Sequence, residues 1–393
     1  MSKERLKDIG VFYTGLSGKS KDDFSNGNAL FVTYSNIFNN PVLNLNITDT
    51  VVVKEGEKQN EVKCGDILFT GSSETPDEAG MTSVVLSEPN EKMYLNSFCF
   101  GFRLNNVDEI SPAYMGYVLR SSPLRNAISK TAFGVTRFNI NKNKLADIEI
   151  PLPLLSIQQE IVSVLDSFTT LIDKMKQEVE KRKKQMEYYR EKLLTFEDRE
   201  CEWKTLGEVS NDIYSGATPS TKIKDYWEKG TIPWMSSGEV HQGRVQYVDG
   251  RITELGYSKC STKMVPVNSI VIALAGQGKT RGTVAITKIE LCTNQSLAAI
   301  VPKIEIVNPD YLYYYLKGEY MNLRTVSSGD GTRGGLNLRM LNEYKVPVIT
   351  LSRQIEIVST LDKFESYISK LEKMIALRQK QYEYYREQLL TFE

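Results

Sequence analysis

A single histidine, His241, stands in the chain, so chemistry built on a histidine pair or a histidine-rich metal site is excluded by inventory. Its polar neighbours mark it as a surface side chain. The five cysteines, Cys64, Cys99, Cys201, Cys260 and Cys292, are odd in number, widely spread and never in a C-x-x-C spacing. That pattern speaks against a disulfide framework or a zinc site, and it leaves buried thiols as the expectation. Missing too is any run near the roughly 18 apolar residues of a membrane span, and residues 1–8 lack the apolar core of a signal peptide. A soluble, cytoplasmic chain without a membrane partner is expected. Net charge is also absent, because 49 basic residues balance 49 acidic ones. The long-range pull that draws basic proteins to polyanions is therefore not available to the chain as a whole.

What is present is a repeat. Residues 151–197 match residues 347–393 at a constant offset without a gap, with about 26 of 47 positions identical, far above chance. The end of each copy is nearly verbatim: Glu187-Tyr-Tyr-Arg-Glu-Lys-Leu-Leu-Thr-Phe-Glu197 stands against Glu383-Tyr-Tyr-Arg-Glu-Gln-Leu-Leu-Thr-Phe-Glu393. Both copies open on a proline in an extended apolar run, Pro151 and Pro347, where the ring discourages helix, so helix is expected only beyond it. Ser156 and Ser352 are the expected N-caps, with Gln159 completing a capping box in the first copy and Ile355 occupying that slot in the second.

From there apolar residues recur at alternating steps of four and three. In the first copy they are Ile161, Leu165, Phe168, Ile172, Met175 and Val179, then Met186, Tyr189, Leu193 and Phe196. In the second they are Ile357, Leu361, Phe364, Ile368, Leu371 and Ile375, then Tyr382, Tyr385, Leu389 and Phe392. This is a heptad seam, and each copy predicts a helix of about 40 residues, about 60 Å long. Two such helices most simply pair antiparallel. The same seam slot is charged in both, as Arg182 and Arg378. Such a pair either fixes register at some cost in stability or packs its stems while the heads reach water.

Residues 1–150 and 198–346 carry β-branched and aromatic runs broken by Gly, Asn and Ser, which read as two mixed α/β segments. They echo one another. Gly65-Asp-Ile-Leu-Phe69 resembles Asn268-Ser-Ile-Val-Ile272, and Ser111-Pro-Ala-Tyr114 resembles Asn308-Pro-Asp-Tyr311, a strand and a helix start respectively. Thr136-Arg137 and Thr332-Arg333 stand at the offset of the helical repeat. The repeat unit is therefore a globular segment plus a helix, used twice.

These features together resemble the specificity subunits of type I restriction-modification enzymes over the whole chain. The likeness rests on the paired Glu-Tyr-Tyr-Arg-Glu-x-Leu-Leu-Thr-Phe tails and the Pro-x-x-x-Leu-Ser openings. It rests also on Glu202-Trp-Lys-Thr-Leu-Gly-Glu-Val209, Gly216-x-Thr-Pro219, Ile232-Pro-Trp234 and Asn294-Gln295, in that order. The first segment departs from the pattern, having neither Gly-x-Thr-Pro nor Ile-Pro-Trp. The resemblance implies target-recognition domains at 1–150 and 198–346, helical spacers at 151–197 and 347–393 forming an antiparallel coiled coil, and a pseudo-twofold internal repeat. It further implies a bipartite site in double-stranded DNA, helix length setting the gap between its halves, and two methyltransferase subunits as partners, optionally with translocating endonuclease subunits. Two rivals remain open at this point: the specificity subunit of a related two-subunit enzyme whose partner fuses methyltransferase and nuclease, and a coiled-coil adaptor that binds protein or RNA.

No catalysis and no cofactor are expected of the chain itself. Ala273-Leu-Ala-Gly-Gln-Gly-Lys-Thr280 imitates a phosphate-binding loop, but its first glycine is replaced by Ala273, and Arg281-Gly282 follows instead of an apolar helix. Motifs for a flipped adenine or for S-adenosylmethionine do not occur, which leaves methyl transfer to a partner. The turn bearing Gln277, Lys279, Thr280 and Arg281 fits better as a DNA-contacting loop, joined by Arg333 and Arg339 in the second segment. Arg137, Ser72 and Ser73 are the corresponding candidates in the first.

Overall fold

The computed structural model describes residues 2–392 apart from 198, 277–278 and 327–334. The chain divides into two compact units, Met1–Lys176 with Lys373–Glu393, and Gln177–Glu372. Each holds one globular segment together with parts of both long helices.

In the first unit, strand Ser2–Arg5 pairs antiparallel with Glu149–Leu152, so the beginning of the globular segment is tied to its end. Pro151 sits in this two-stranded pair opposite Lys3, a setting that tolerates the missing N–H. The main sheet runs Gly10–Thr14, Cys99–Leu104, Ile67–Thr70, Thr82–Val84, all antiparallel neighbours. A smaller sheet places Ala29–Val32 between antiparallel Thr50–Val51 and parallel Met93–Leu95. Helix Pro112–Val118, opened by Ser111 with proline in its first turn, covers the main sheet. Phe69, Phe100, Phe102, Tyr114 and Met115 fill the core between them.

The second unit repeats this plan. Glu202–Thr205 pairs with Lys345–Val348, and Pro347 faces Trp203. The main sheet runs Ser210–Ser215, Leu297–Pro302, Ile270–Ala273, Val284–Thr287, and then adds a parallel fifth strand, Arg244–Val245. Ile232–Met235 lies between antiparallel Arg251–Ile252 and parallel Cys292–Thr293. Helix Pro309–Gly318 is opened by Asn308, so both sequence echoes fall on equivalent elements.

The two long helices, Leu155–Leu194 and Leu351–Leu390, are 40 residues each, as the periodicity predicts. In the first unit Phe168 stacks on Tyr385 with ring centroids 5.4 Å apart; in the second, Tyr189 stacks on Phe364 at 5.5 Å. The same contact thus occurs twice, the early part of one helix lying against the late part of the other. Ile161, Leu165, Ile172, Met175, Val179, Ile357, Leu361, Ile368 and Leu371 are buried, and each such side chain contributes about 2 kcal/mol. Phe168, Phe364 and Ile375 are half-buried.

Some expectations are corrected. Ser156 and Ser352 lie inside the first helical turn, because the carbonyls of Leu154 and Thr350 already accept from Gln158 N (3.1 Å) and Gln354 N (3.0 Å). The Gln159 capping box therefore does not form. Near the helix ends Leu194 and Leu390, rather than Leu193 and Leu389, are the buried leucines. At the charged seam slots the heads bond within their own helices, Arg182 to Glu178 (2.7 Å) and Gln185 (2.8 Å) and Arg378 to Gln381 (2.7 Å), while the Arg182 guanidinium also lies 5.5 Å from the ring centre of Tyr367 on the other helix. Cys99 and Cys292 are buried, but Cys64 is exposed in the turn completed by Gly65 at φ +88°, and Cys201 and Cys260 are partly exposed.

Candidate nucleic-acid interface

The candidate residues of the first segment come together. Beyond strand Ile67–Thr70 the chain turns outward as Ser72–Ser73, which pairs with the hairpin strand Phe138–Ile140, Ser73 opposite Phe138 and Ser72 opposite Asn139. Ile140 N donates to Gly71 O at 2.9 Å and locks the junction. Arg137 Nε donates to Ser72 Oγ at 3.0 Å, and its guanidinium lies 5.2 Å from the ring centre of Phe98, itself 58% exposed. Tyr34 Oη donates to Ser72 O at 2.9 Å and stacks on Phe38, while Ser73 Oγ donates to Glu78 at 3.2 Å. The result is an open cleft with a fixed cation, aromatic walls and the carboxylates of Glu74 and Glu78 at its rim. Such a mixed donor, acceptor and ring surface suits base edges better than phosphate alone.

The second segment builds its site at the same place, on the loop between Ile270–Ala273 and Val284–Thr287. Leu336 N donates to Leu274 O at 2.9 Å, repeating the Ile140–Gly71 bond. Tyr320 Oη donates to Lys279 O at 2.8 Å, Arg324 donates to Arg281 O at 3.3 Å, and exposed His241 lies 3.4 Å from Thr280 Oγ1. Lys279, Thr280 and Arg281 therefore share one braced turn. Gln277 and Arg333 lie outside the described residues. Arg339 stands apart on helix Leu338–Asn342, exposed and paired with Glu343 at 3.0 Å on the same short helix. The phosphate-loop likeness is not matched in structure: a strand follows, and the amides of Gly282 and Thr283 are used on Ala273 O and Thr280 O to close the turn.

The missing motifs of the first segment have a physical reason. A Cβ on Gly216 would lie 1.9 Å from Thr293 O, and one on Gly15 would lie 2.2 Å from Asn96 O, so both copies require glycine at this crossing. The residues after it are not so constrained, and Gly15-Leu16 replaces the longer motif. Likewise Phe31, paired with Tyr94, stands where Trp234 pairs with Cys292.

Residues that tie each segment to its helix escape sequence reading. Buried Gln158 accepts from Ser111 N (2.9 Å) and donates to Glu109 O (3.1 Å) and Pro153 O (2.9 Å). Buried Gln354 accepts from Asn308 N (2.6 Å) and donates to Ile306 O (3.1 Å) and Ile349 O (2.8 Å). Tyr114 and Tyr311 add matching bonds to Pro151 O (2.8 Å) and Pro347 O (3.0 Å). Their identity across the repeat was the available signal. In the second unit Arg244 donates to Glu365 (2.8 Å), Asp362 (2.6 Å) and Tyr314 (3.0 Å) and also pairs with Asp310. Burial works against this charge, but bonding to Glu365 and its field outweigh it and raise the Arg244 pKa. Burial would also raise the Glu365 carboxyl, yet Arg244 and Lys317 hold it below its ordinary range. Among the described residues no group of three or more His, Cys, Asp or Glu is placed to hold a metal, and no helix is long and apolar enough to cross a membrane.

The profile of the family described as Type I restriction modification DNA specificity domain matches residues 1–181 and again residues 199–378. Over 258 residues the chain is 37% identical to the type I restriction enzyme EcoR124I/EcoR124II specificity subunit of Escherichia coli, covering 62% of this chain and 63% of that subunit. It is 33% identical over 182 residues to the MjaIX specificity subunit of Methanocaldococcus jannaschii, covering 45% of this chain and 40% of the relative. The matched regions thus span less than two thirds of the length of these two relatives. Among solved structures, the type I restriction-modification S subunit from M. genitalium superposes with a TM-score of 0.57 at 16% identity, covering 100% of this chain and 96% of that one. The HsdS subunit from Thermoanaerobacter tengcongensis gives 0.53 at 17% identity, covering 99% and 95%. At such identities the likeness carries the fold. Because the family profile accounts for almost the whole sequence, and does so twice in step with the repeated sheets, the chain belongs to the family of type I restriction-modification specificity subunits.

Proposed function

We propose that this chain reads a bipartite sequence in double-stranded DNA, one half-site for each globular segment, and carries no catalysis of its own. Residues 1–150 and 198–346 act as the target-recognition domains, and 151–197 and 347–393 as spacers whose length sets the gap between half-sites. One observation carries the reading: the same braced loop junction occurs in both segments but is furnished differently, with Arg137, Ser72 and Phe98 in one and Lys279, Thr280 and His241 in the other. A common frame with divergent side chains is what two readers of different base sequences require.

Charge bears on the partners. Residues 1–150 hold 16 basic and 18 acidic side chains and residues 198–346 hold the reverse, so neither segment supplies the phosphate neutralisation that usually dominates affinity. Two methyltransferase subunits, closing around the duplex in the cytoplasm, supply much of it and perform methyl transfer; endonuclease subunits join where the system restricts. The isolated chain then binds target DNA weakly, and the assembly binds it tightly. Exchange of residues 1–150 for those of a relative, followed by mapping of methylated adenines in host DNA, is expected to change one half of the target and leave the other intact. A change in both halves, or in neither, overturns the reading.

A further inference from the structure

We propose that the hairpin tip at residues 133–137 is an apolar wedge that enters the duplex at the half-site read by the first segment and unstacks one base step. The inference rests on the DNA-reading function proposed above. Phe133 is 58% exposed and Val135 90% exposed, at the end of an edge strand of a three-stranded sheet. The tip is not slack chain. Strand Ala132–Phe133 pairs with Phe138–Ile140, which pairs in turn with Ser72–Ser73. Gly134 adopts φ +134°, and a Cβ there would lie 2.1 Å from Arg137 O, so the turn is closed to a width that only glycine permits. A turn braced in this way, presenting valine and phenylalanine to solvent, contributes nothing to the core and is suited to insertion.

The flanks identify what it enters. From Lys130 to Ala146 the chain carries four cations, Lys130, Arg137, Lys142 and Lys144, and no carboxylate of its own, which outnumber Glu74 and Glu78 at the rim of the cleft beside Arg137, in a segment whose overall charge is negative. An apolar point within a local basic stretch matches the architecture of a base stack between two phosphate strands. Arg137 is already oriented by Ser72 and Phe98 at the base of the tip. At the repeat offset the second segment has Gly329, Asp330 and Gly331 in place of Phe133, Gly134 and Val135. The wedge is therefore a property of one half-site only.

The test uses the chain assembled with its methyltransferase subunits and a target duplex defined by methylation mapping, with 2-aminopurine placed at successive positions of each half-site. The half-site of the first segment is the one that changes when residues 1–150 are exchanged. Leaving out the methylated adenines, which the methyltransferase subunits themselves extrude, and the positions next to them, the expected result is a rise in fluorescence at one step of that half-site and none in the other. Phe133→Ser with Val135→Ser is expected to abolish the rise and to weaken target binding roughly tenfold, with assembly intact. Target-specific binding without a rise, or a rise that survives in the double variant, overturns the wedge and leaves the DNA-reading function standing. Loss of methyltransferase assembly in the variant assigns the tip to a protein contact and also overturns it. Failure of the wild-type assembly to bind its mapped target defeats the underlying function itself.

Discussion

The two globular segments share a sheet order but are fastened to the long helices differently. In the first unit Tyr117 donates to Asp166 at 2.5 Å and Ser122 to Glu387 at 2.7 Å. In the second, the equivalent Tyr314 donates to Asp362 at 2.7 Å and Glu365 at 3.0 Å, and Arg244 joins both carboxylates to Asp310. Arg244 arrives on the fifth strand of the main sheet, whose place in the first unit is held by a single parallel bridge between Val42 and Val84, with an apolar side chain there instead of a cation. The glutamine and tyrosine bonds occur in both copies, so they belong to the frame itself, whereas the charge network is an addition to one copy.

The comparison can be broken most forcefully at Arg244. Arg244→Met leaves three carboxylates around an apolar stem and is expected to destabilise the second unit by about 3–5 kcal/mol, while Tyr117→Phe in the first costs about 1 kcal/mol. All three tryptophans lie in the second unit, so their fluorescence during urea unfolding follows that unit, and circular dichroism follows both. If the common frame is equivalent in the two copies, Gln158→Ala and Gln354→Ala each cost about 2 kcal/mol, because each leaves three partly buried backbone groups without that partner. A difference between them larger than about 1 kcal/mol would show that the frame is not shared equally.

Acid sharpens the contrast further. The folded Glu365 carboxyl is held below its ordinary value of 4.5, so its contribution is complete above that pH and is lost as pH falls from there through the folded value. Tryptophan-detected stability is expected to decline over that window, and Glu365→Gln to flatten the decline at the cost of lower stability at neutral pH. The smallest effect belongs to the exposed pair of Lys183 and Glu372, 2.9 Å apart on the helices: Lys183→Ala is expected to cost less than about 1 kcal/mol and to vanish at high salt.

Sequence reading succeeded where the signal was local and periodic. The heptad positions from Ile161 to Val179 and from Ile357 to Leu371 identify both helices, and the echoes at Ile67 and Ile270, or Pro112 and Pro309, fall on equivalent strands and helices. It missed the helix starts by two residues because carbonyls, not side chains, open those helices. Strand order was not legible, since the pairing of Gly10–Thr14 with Cys99–Leu104 depends on contacts about ninety residues apart that leave no local mark. In the candidate cleft, Arg137, Ser72 and Ser73 are residues that the sequence names and the fold brings together, whereas Tyr34 and Phe98 carry no signal in sequence. They are ordinary aromatics in sequence, and only the fold sets Phe98 exposed beside a cation and bonds Tyr34 to Ser72. Arg244 looked like any surface charge until the fold brought Asp310, Asp362 and Glu365 to it.

The strand pairs that close each segment, Ser2–Arg5 with Glu149–Leu152 and Glu202–Thr205 with Lys345–Val348, are joined through main-chain atoms. Main-chain hydrogen bonds are blind to side-chain identity, so such a joint works as a universal coupling. A replacement of everything between the two strands is then expected to deliver a new globular segment whose ends already fit, leaving the shaft on which it is mounted unchanged.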